Sequence, residues 1–295
     1  GEQTGSYSSS GWSNRLGTVL TPAAIGVYTA DRPFYWNRID VGCRMTVIQL
    51  PSNGDEHDLW IHSPVYLDKS LRDALRQLGT VKYIISPNYE HLKYAPQWAE
   101  EFPEAYMWGC PGLTARMPDI DWSGEMPNGI RPSSWNTNTE TTTNTVGKNC
   151  WDLEEIQPLH INTEVNPFTG KPFFNEVIYY HQSSGTLLTT DLYWNYPQSD
   201  GIPNSHLEST ELTSWELAPS VDTIPLGSRA WKFGMDRIYS PFYNNFMVRN
   251  ESENTQIGRF IIDQGSWDIK TVIPAHGDLI RGKELIQTVL RKHLL

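Results

Sequence analysis

Apolar positions along this chain switch between two spacings, and the switches mark out its elements. Arg44 to Leu50 and Asp58 to His62 read as two strands joined by the turn-forming run Ser52-Asn53-Gly54-Asp55. Leu71, Ala74, Leu75 and Leu78 then fall at the spacing of one helix face, and Gly79 is placed to end that helix. Val81 to Ser86 reads as a buried strand. Pro96 suits the first turn of a helix running to about Glu101. Ala105 to Gly109 is the next strand, closed by Pro111-Gly112. The order strand, strand, helix, strand, helix, strand predicts an α/β chain with right-handed crossovers.

The remaining segments fill in around this unit. Residues 1–36 are rich in Ser, Thr and Gly and read as an extended arm, with Arg32 to Trp36 as its anchor on a single domain spanning 37–295. Residues 123–150 carry Pro, Gly and the polar run Asn136 to Thr145, and read as one long surface loop. Glu176 to His181 and Thr186 to Thr190 flank Gln182-Ser183-Ser184-Gly185, a hairpin signal. Residues 195–260 show little periodicity and read as irregular, aromatic-rich segments over the core. Thr271 to Ile273 is the last strand, and Leu285, Ile286, Val289 and Leu290 mark a closing amphipathic helix. No internal repeat interrupts this single pass.

Composition narrows the function classes. At 295 residues the chain can bury a sizeable core, and no apolar run reaches the roughly 18 residues of a membrane span. A net charge of −11, with Lys and Arg scattered, argues against nucleic acid as a partner. The three cysteines, Cys43, Cys110 and Cys150, fit neither a zinc knuckle nor a redox pair; reduced thiols and a single disulfide both stay open. Twelve Trp and fourteen Tyr point to a heavily packed aromatic core. The chain begins at Gly1 without Met, which reads as a processed product whose targeting segment has been removed.

Three strand-like runs end in residues able to bind a metal: Tyr83 to His91, Thr186 to Asp191 and Val272 to Asp278. Buried strands that end in this way can gather their last side chains at one edge of a sheet. The order Glu90-His91, then a lone Asp191 after a hairpin, then Pro274-Ala275-His276-Gly277 resembles the metallo-β-lactamase superfamily. That resemblance implies a four-layer αββα sandwich, two mixed sheets face to face with helices outside. It also implies a reduced metal site. Ser86 and Asn88 stand where the superfamily has the first two His of His-x-His-x-Asp-His, Glu90 stands for the Asp, and His91 is retained. No His lies near Phe173 to Asn175, where another is expected, while Asp191 matches the bridging Asp and His276 the final His.

Ser and Asn are poor ligands for a zinc-like ion, so the three-His position is lost. Glu90, His91, Asp191 and His276 remain as a mixed N/O set for at most one divalent cation, Zn, Fe or Mn. The alternative is that these groups hold no metal and hydrogen-bond one another beneath a loop. His62 stands where the superfamily has an Asp at the mouth of the site. It is a candidate catalytic acid or base, or else a plain donor to a backbone carbonyl. His181 is expected to cap its turn, and His57, His160, His206 and His293 to be solvated surface residues. Asn250-Glu251-Ser252 matches a glycosylation sequon, which has meaning only in a secreted chain.

Longer stretches resemble a narrower group, the DUF4336 proteins of cyanobacteria, algae and plants. They are Ala30 to Met45, Leu59 to Val65, Ser86 to His91, Asn166 to Glu176, Asp191 to Pro197 and Trp231 to Asp236. The reduced metal motif is the norm in that family, which brings no established substrate. The resemblance implies a photosynthetic source, with a chloroplast location for a eukaryotic member and a cytoplasmic one for a cyanobacterial member. Two functions follow as expectations. One is a mononuclear metal-dependent hydrolase of a small ester, thioester or phosphoester. The other is a non-catalytic scaffold that binds a plastid protein partner, conceivably a photosynthetic complex.

Overall fold

In the computed structural model, the residues described are 19–50 apart from 33, 37 and 38, 56–135, 146–147, 149–195, 230–263 apart from 232, and 267–294 apart from 278. The first sheet is built from β1 (Thr21–Ala24) and β2 (Val27–Arg32). A short ribbon, β3 (Tyr35–Trp36) with β4 (Ile39–Asp40), stands apart from it. The sheet continues with β5 (Cys43–Leu50), β6 (Asp58–His62), β7 (Thr80–Ser86), β8 (Tyr106–Gly109) and β9 (Gly124–Glu125). Its order is β1-β2-β5-β6-β7-β8-β9, antiparallel as far as β6 and parallel from β6 to β9.

The second sheet comprises β10 (Ile156–His160), β11 (Val177–His181), β12 (Thr186–Thr189), β13 (Thr271–Pro274) and β14 (Ile280–Arg281), in that spatial order. Only β12 and β13 run parallel in it. Between β11 and β12, Gly185 adopts a φ of +65°, and a Cβ there would stand 2.7 Å from the Asp268 carbonyl oxygen, so the hairpin requires glycine.

The period-two rule explains how four layers arise from these strands. Leu59 and Ile61 of β6 face the helices Lys69–Leu78 and Ala95–Glu101, together with Met45, Val47, Leu71, Leu75 and Trp98. Trp60 of the same strand points the other way, into the space between the sheets, where it meets Tyr179, Leu188 and Ile273. Tyr180, Leu187 and Val272 turn to the far side of the second sheet and pack on Phe260, Ile261 and Val289 of the helices Glu251–Ile262 and Lys283–Leu294. Helix, sheet, sheet, helix is the αββα sandwich.

Three expectations need correction. Residues 21–32, read as part of the arm, form β1 and β2, because Val27 and Ala30 alternate into the core and each pairs with β5. The arm's residues 1–18 lie outside the described residues. The span 195–260 is not irregular throughout: Glu251–Ile262 is a helix, and Asn250 caps it by accepting from the Glu253 N–H while its amide donates to the Glu253 carboxylate. That cap is the structural role of the sequon-like Asn250. The long loop at 123–150 contains a strand pairing at β9, and its polar run Asn136 to Thr145 lies outside the described residues.

One arginine fastens the two sheets beside the future site. Arg44 on β5 donates from Nη1 to the carbonyls of Pro274 at 3.1 Å and Gly277 at 2.5 Å, while its guanidinium pairs with Asp31 at 2.8 Å. Its backbone N–H also reaches the Ala275 carbonyl. Arg44 is buried, and the turn after β13 is shaped around it.

Candidate metal centre

Asn88 organises the first half of the site. Just past β7, its side-chain oxygen accepts from the backbone N–H groups of Glu90 and His91 at 3.0 and 2.9 Å, folding the chain into a tight turn. Its amide nitrogen crosses to the other sheet and donates to Thr190 Oγ1 at 2.9 Å and Asp191 Oδ2 at 2.6 Å. One side chain therefore sets His91 in place and fixes Asp191 relative to it.

The second half rests on Glu176, a buried carboxylate that accepts from the backbone N–H groups of Thr190, Asp191 and Leu192 at 2.6, 2.8 and 2.7 Å. Trp194 Nε1 donates to Asp191 Oδ1 at 3.2 Å. The turn after β13 carries His276, whose Nδ1–H donates to the Gly42 carbonyl at 2.7 Å and whose backbone carbonyl accepts from Asn195.

These supports make three side chains converge. His91 Nε2 lies 3.2 Å from Asp191 Oδ2 and 3.3 Å from His276 Nε2, and His276 Nε2 lies 3.7 Å from Asp191 Oδ1. One ligand atom from each of the three lies within 4.8 Å of the others, and all three side chains are buried. Behind His91, Nδ1 shares a 2.7 Å hydrogen bond with Ser63 Oγ, and Cys43 Sγ lies 3.7 Å away.

The proton balance follows from these contacts. With Nδ1–H engaged by Gly42, a neutral His276 turns the Nε2 lone pair inward, towards His91 Nε2 and the carboxylate. Burial drives His276 down to about 4, against the pull of Asp191. For His91 burial also opposes the charged ring, but Cys43 and Asp191 outweigh it and raise its pKa well above the ordinary value. Burial disfavours ionised Asp191 too, yet His91, His276 and the Asn88 amide outweigh it and bring the carboxyl down to about 2. The three groups thus demand one positive charge among them, a proton on His91 or a cation in its stead.

The donor set fits a metal. Two imidazole nitrogens and a carboxylate, with each imidazole held from behind through its other nitrogen, match the first and outer shells of a His/carboxylate centre. Three of the four sequence-expected ligands meet. Glu90 does not join them: the residue is largely open to solvent and lines the cavity outside the cluster, and partial desolvation of its carboxyl, together with the Asp191 charge, raises its pKa, with His91 and Arg116 opposing.

His62 does not reach the cavity. As a β6 residue two along from Trp60 it shares that residue's face, and it is sealed between the sheets. It stacks on Trp60 at 5.9 Å and meets Tyr179 edge-on at 5.7 Å, with Nε2 unpartnered. Burial, followed by His91, lowers it to about 3. The mouth position expected for it is thus not where the pleat directs it. His160, expected at the surface, is fully buried, with Nδ1 accepting from the Gly129 N–H and Nε2 bonded to Asn175 Oδ1. His181 does hold its turn, through Ser184 Oγ, and also pairs with Glu155.

Above the cluster opens a cavity of about 560 Å³. Its walls are Phe34, Val41, Phe173, Phe174 and Trp194, with Trp231, Met235, Ile238, Tyr239 and Phe242 from the helical segment 230–247. That segment winds in π-helical turns at Met235–Tyr239 and Tyr243–Met247, and Phe174, Tyr243 and Met247 anchor it. Sequence reasoning read Asn88 only as a lost ligand and passed over Glu176. A charged residue heading the apolar run Val177 to Tyr180 was the available signal for the latter.

Comparisons with known proteins agree with this architecture. The family described as a domain of unknown function, DUF4336, matches residues 26–211. No curated protein matches the chain in sequence. Among solved structures, the rubredoxin oxygen:oxidoreductase of Desulfovibrio gigas is 12% identical with a TM-score of 0.52, covering 93% of this chain and 60% of that one. A metal-soaked Flv1 flavodiiron core from Synechocystis sp. PCC6803 is 14% identical with a TM-score of 0.51, over the same shares of 93% and 60%. A metallo-β-lactamase from Hirschia baltica is 11% identical with a TM-score of 0.48, covering 92% of this chain and 95% of that one. This chain spans about three-fifths of the first two proteins. At such identities the likeness is one of fold, and the fold is metallo-β-lactamase-like.

Proposed function

Since the chain belongs to DUF4336, a family defined without an activity, we propose from its site that it is a mononuclear metal-dependent hydrolase of a small ester, thioester or phosphoester. The observation that carries this reading is the convergence of His91 Nε2, His276 Nε2 and an Asp191 oxygen at the floor of a cavity. A divalent cation there, Zn, Fe or Mn, would polarise a carbonyl or phosphoryl oxygen and acidify a water.

The chain's own residues do the rest. Gly42 and Ser63 hold the two imidazoles from behind, Asn88 and Trp194 orient the Asp191 carboxylate, and the aromatic walls exclude bulk water. Glu90, lining the cavity with a raised pKa, is the group positioned to take and return a proton during turnover. Ester hydrolysis by protein reconstituted with each of the three cations tests the reading. Turnover that survives Asp191→Ala together with His276→Ala would sink it.

A second reading, a non-catalytic binding protein of the plastid, is supported by the exposed Phe233, Ile238 and Phe246 on the helical segment over the cavity. Its chloroplast setting rests on the family resemblance alone. Absence of a bound cation after expression in metal-replete medium would favour this reading over the first.

A further inference from the structure

Asp191 is held by three residues besides the two histidines, and they do not stand in the same place. Asn88 donates to Oδ2 at 2.6 Å, and Glu176 accepts from the Asp191 backbone N–H at 2.8 Å. Both are buried, and neither belongs to the cavity wall. Trp194 donates from Nε1 to Oδ1 at 3.2 Å and does line the cavity. Among the described residues, it alone bonds to the carboxylate, is no candidate ligand and also borders the space an occupant would fill.

The indole is shared with the helical wall. Its ring packs edge-on against Tyr239 at 5.2 Å and against Phe174 at 6.1 Å. Tyr239 lies in the π-helical turn Met235–Tyr239, and Phe174 belongs to the cluster that anchors the segment through Tyr243 and Met247. Trp194 itself is only half-buried, so its bond to Asp191 stands where an occupant can shield it from water. A hydrogen bond from which water is excluded is stronger than one in competition with solvent. With Oδ1 fixed by Trp194 and Oδ2 by Asn88, the carboxylate keeps one orientation towards the two histidines. Outer partners of this kind set the affinity of a metal centre.

From this placement we propose that Trp194 is a positioning residue that couples the cavity to the cation site. An occupant packed on its indole steadies the Asp191 carboxylate, and a cation that fixes the carboxylate steadies the wall that the occupant meets. This rests on the cation-binding reading above and adds to it a regulation of the site by its own substrate. Occupant and cation then bind cooperatively, and each raises the affinity of the other by one common factor.

The linkage is read by equilibrium binding to the full chain. The occupant probe is N-phenyl-1-naphthylamine, an uncharged aromatic molecule whose emission rises in apolar surroundings, and the cation is zinc. The probe is expected to tighten zinc binding roughly fivefold or more, and zinc to tighten probe binding by the same factor. Trp194→Phe keeps a ring for the packing but has no N–H. It is expected to bind the probe still and to bring the coupling factor down to about one. Phe242→Leu alters the same wall at a ring whose contact is with Phe246, and should weaken the probe yet keep the factor. In the unaltered protein the Trp194 indole N–H, assigned by its proximity to the Tyr239 ring, should exchange with solvent more slowly when the probe is bound, with or without zinc.

Independent binding of zinc and probe by the unaltered protein, no probe binding at all, or the same coupling in Trp194→Phe would overturn the inference. Cooperative binding without hydrolysis of any ester would retain the inference and remove the hydrolase reading. Should zinc fail to bind the unaltered protein, the hydrolase reading falls and the indole N–H decides alone. Slower exchange with the probe bound then upholds the link from occupant to Asp191, and unchanged exchange overturns it.

Discussion

His91 and His276, 185 residues apart in the chain, face each other with their Nε2 atoms 3.3 Å apart, and each ring is fixed from behind by a separate partner. Two ring nitrogens at that distance cannot both present lone pairs to one another without something positive between or beside them.

Cation binding should expel a proton. His91, with its pKa raised, is protonated at neutral pH when the site holds no metal, so the ion must displace that proton. Affinity should therefore fall about tenfold for each pH unit below the His91 pKa. Calorimetry in buffers of different ionisation enthalpy should report release of about one proton per cation bound. A stoichiometry of two cations per chain would contradict the donor set found here.

Asn88→Ala should weaken cation binding by roughly 10–100-fold, the usual cost of losing an outer-shell partner. The change removes the donor to Asp191 Oδ2 and the acceptor that shapes the turn at Glu90 and His91. Asn88→Asp should do worse, since it keeps the acceptor but sets a carboxylate against Asp191. Competition with a chromogenic chelator measures both variants.

Arg44→Met should destabilise the fold by about 3–5 kcal/mol, because the Asp31 carboxylate loses its guanidinium partner and two carbonyls lose their donor. Urea denaturation at neutral pH provides the measurement. An Arg44→Met protein as stable as the parent would mean that the clasp between the sheets carries no weight.

His160 should make the protein acid-sensitive. Burial lowers its pKa in the fold to about 4, against 6.5 in the unfolded chain, so the unfolded chain takes up the proton first. The contribution is intact above the unfolded value and is lost as pH falls from there towards the folded one. Between about pH 6.5 and pH 5 the loss is on the order of 2 kcal/mol. Denaturation curves at several pH values test this, and His160→Gln should flatten the slope over that interval.

Much of the sandwich is legible in the chain because its strands are short apolar runs bounded by turn residues. Asp58–His62, Val81 to Ser86 and the hairpin at Gln182 to Gly185 needed only periodicity and glycine placement. Ala30 and Val27 were harder to read, since their strands sit beside a Ser- and Thr-rich segment and owe their place to pairing with β5. The converging residues His91, Asp191 and His276 were legible as strand-end residues. The position of Glu90 was not, because it depends on how the Asn88 turn aims successive side chains. His62 and His160 show the limit most clearly: which face of a strand a histidine takes, and what lies opposite, is decided by partners far away in sequence such as Tyr179 and Asn175.

The distribution of the three candidate ligands over both sheets has a kinetic meaning. His91 follows a strand of the first sheet, while Asp191 and His276 follow strands of the second, so no fragment carrying one sheet alone contains the whole set. A cation held there would work as a removable cross-link across an inter-sheet seam. It cannot form until both halves have docked, and so it should leave the folding rate nearly untouched while slowing unfolding. Chelation would then shorten the lifetime of the folded protein without altering how quickly it is reached.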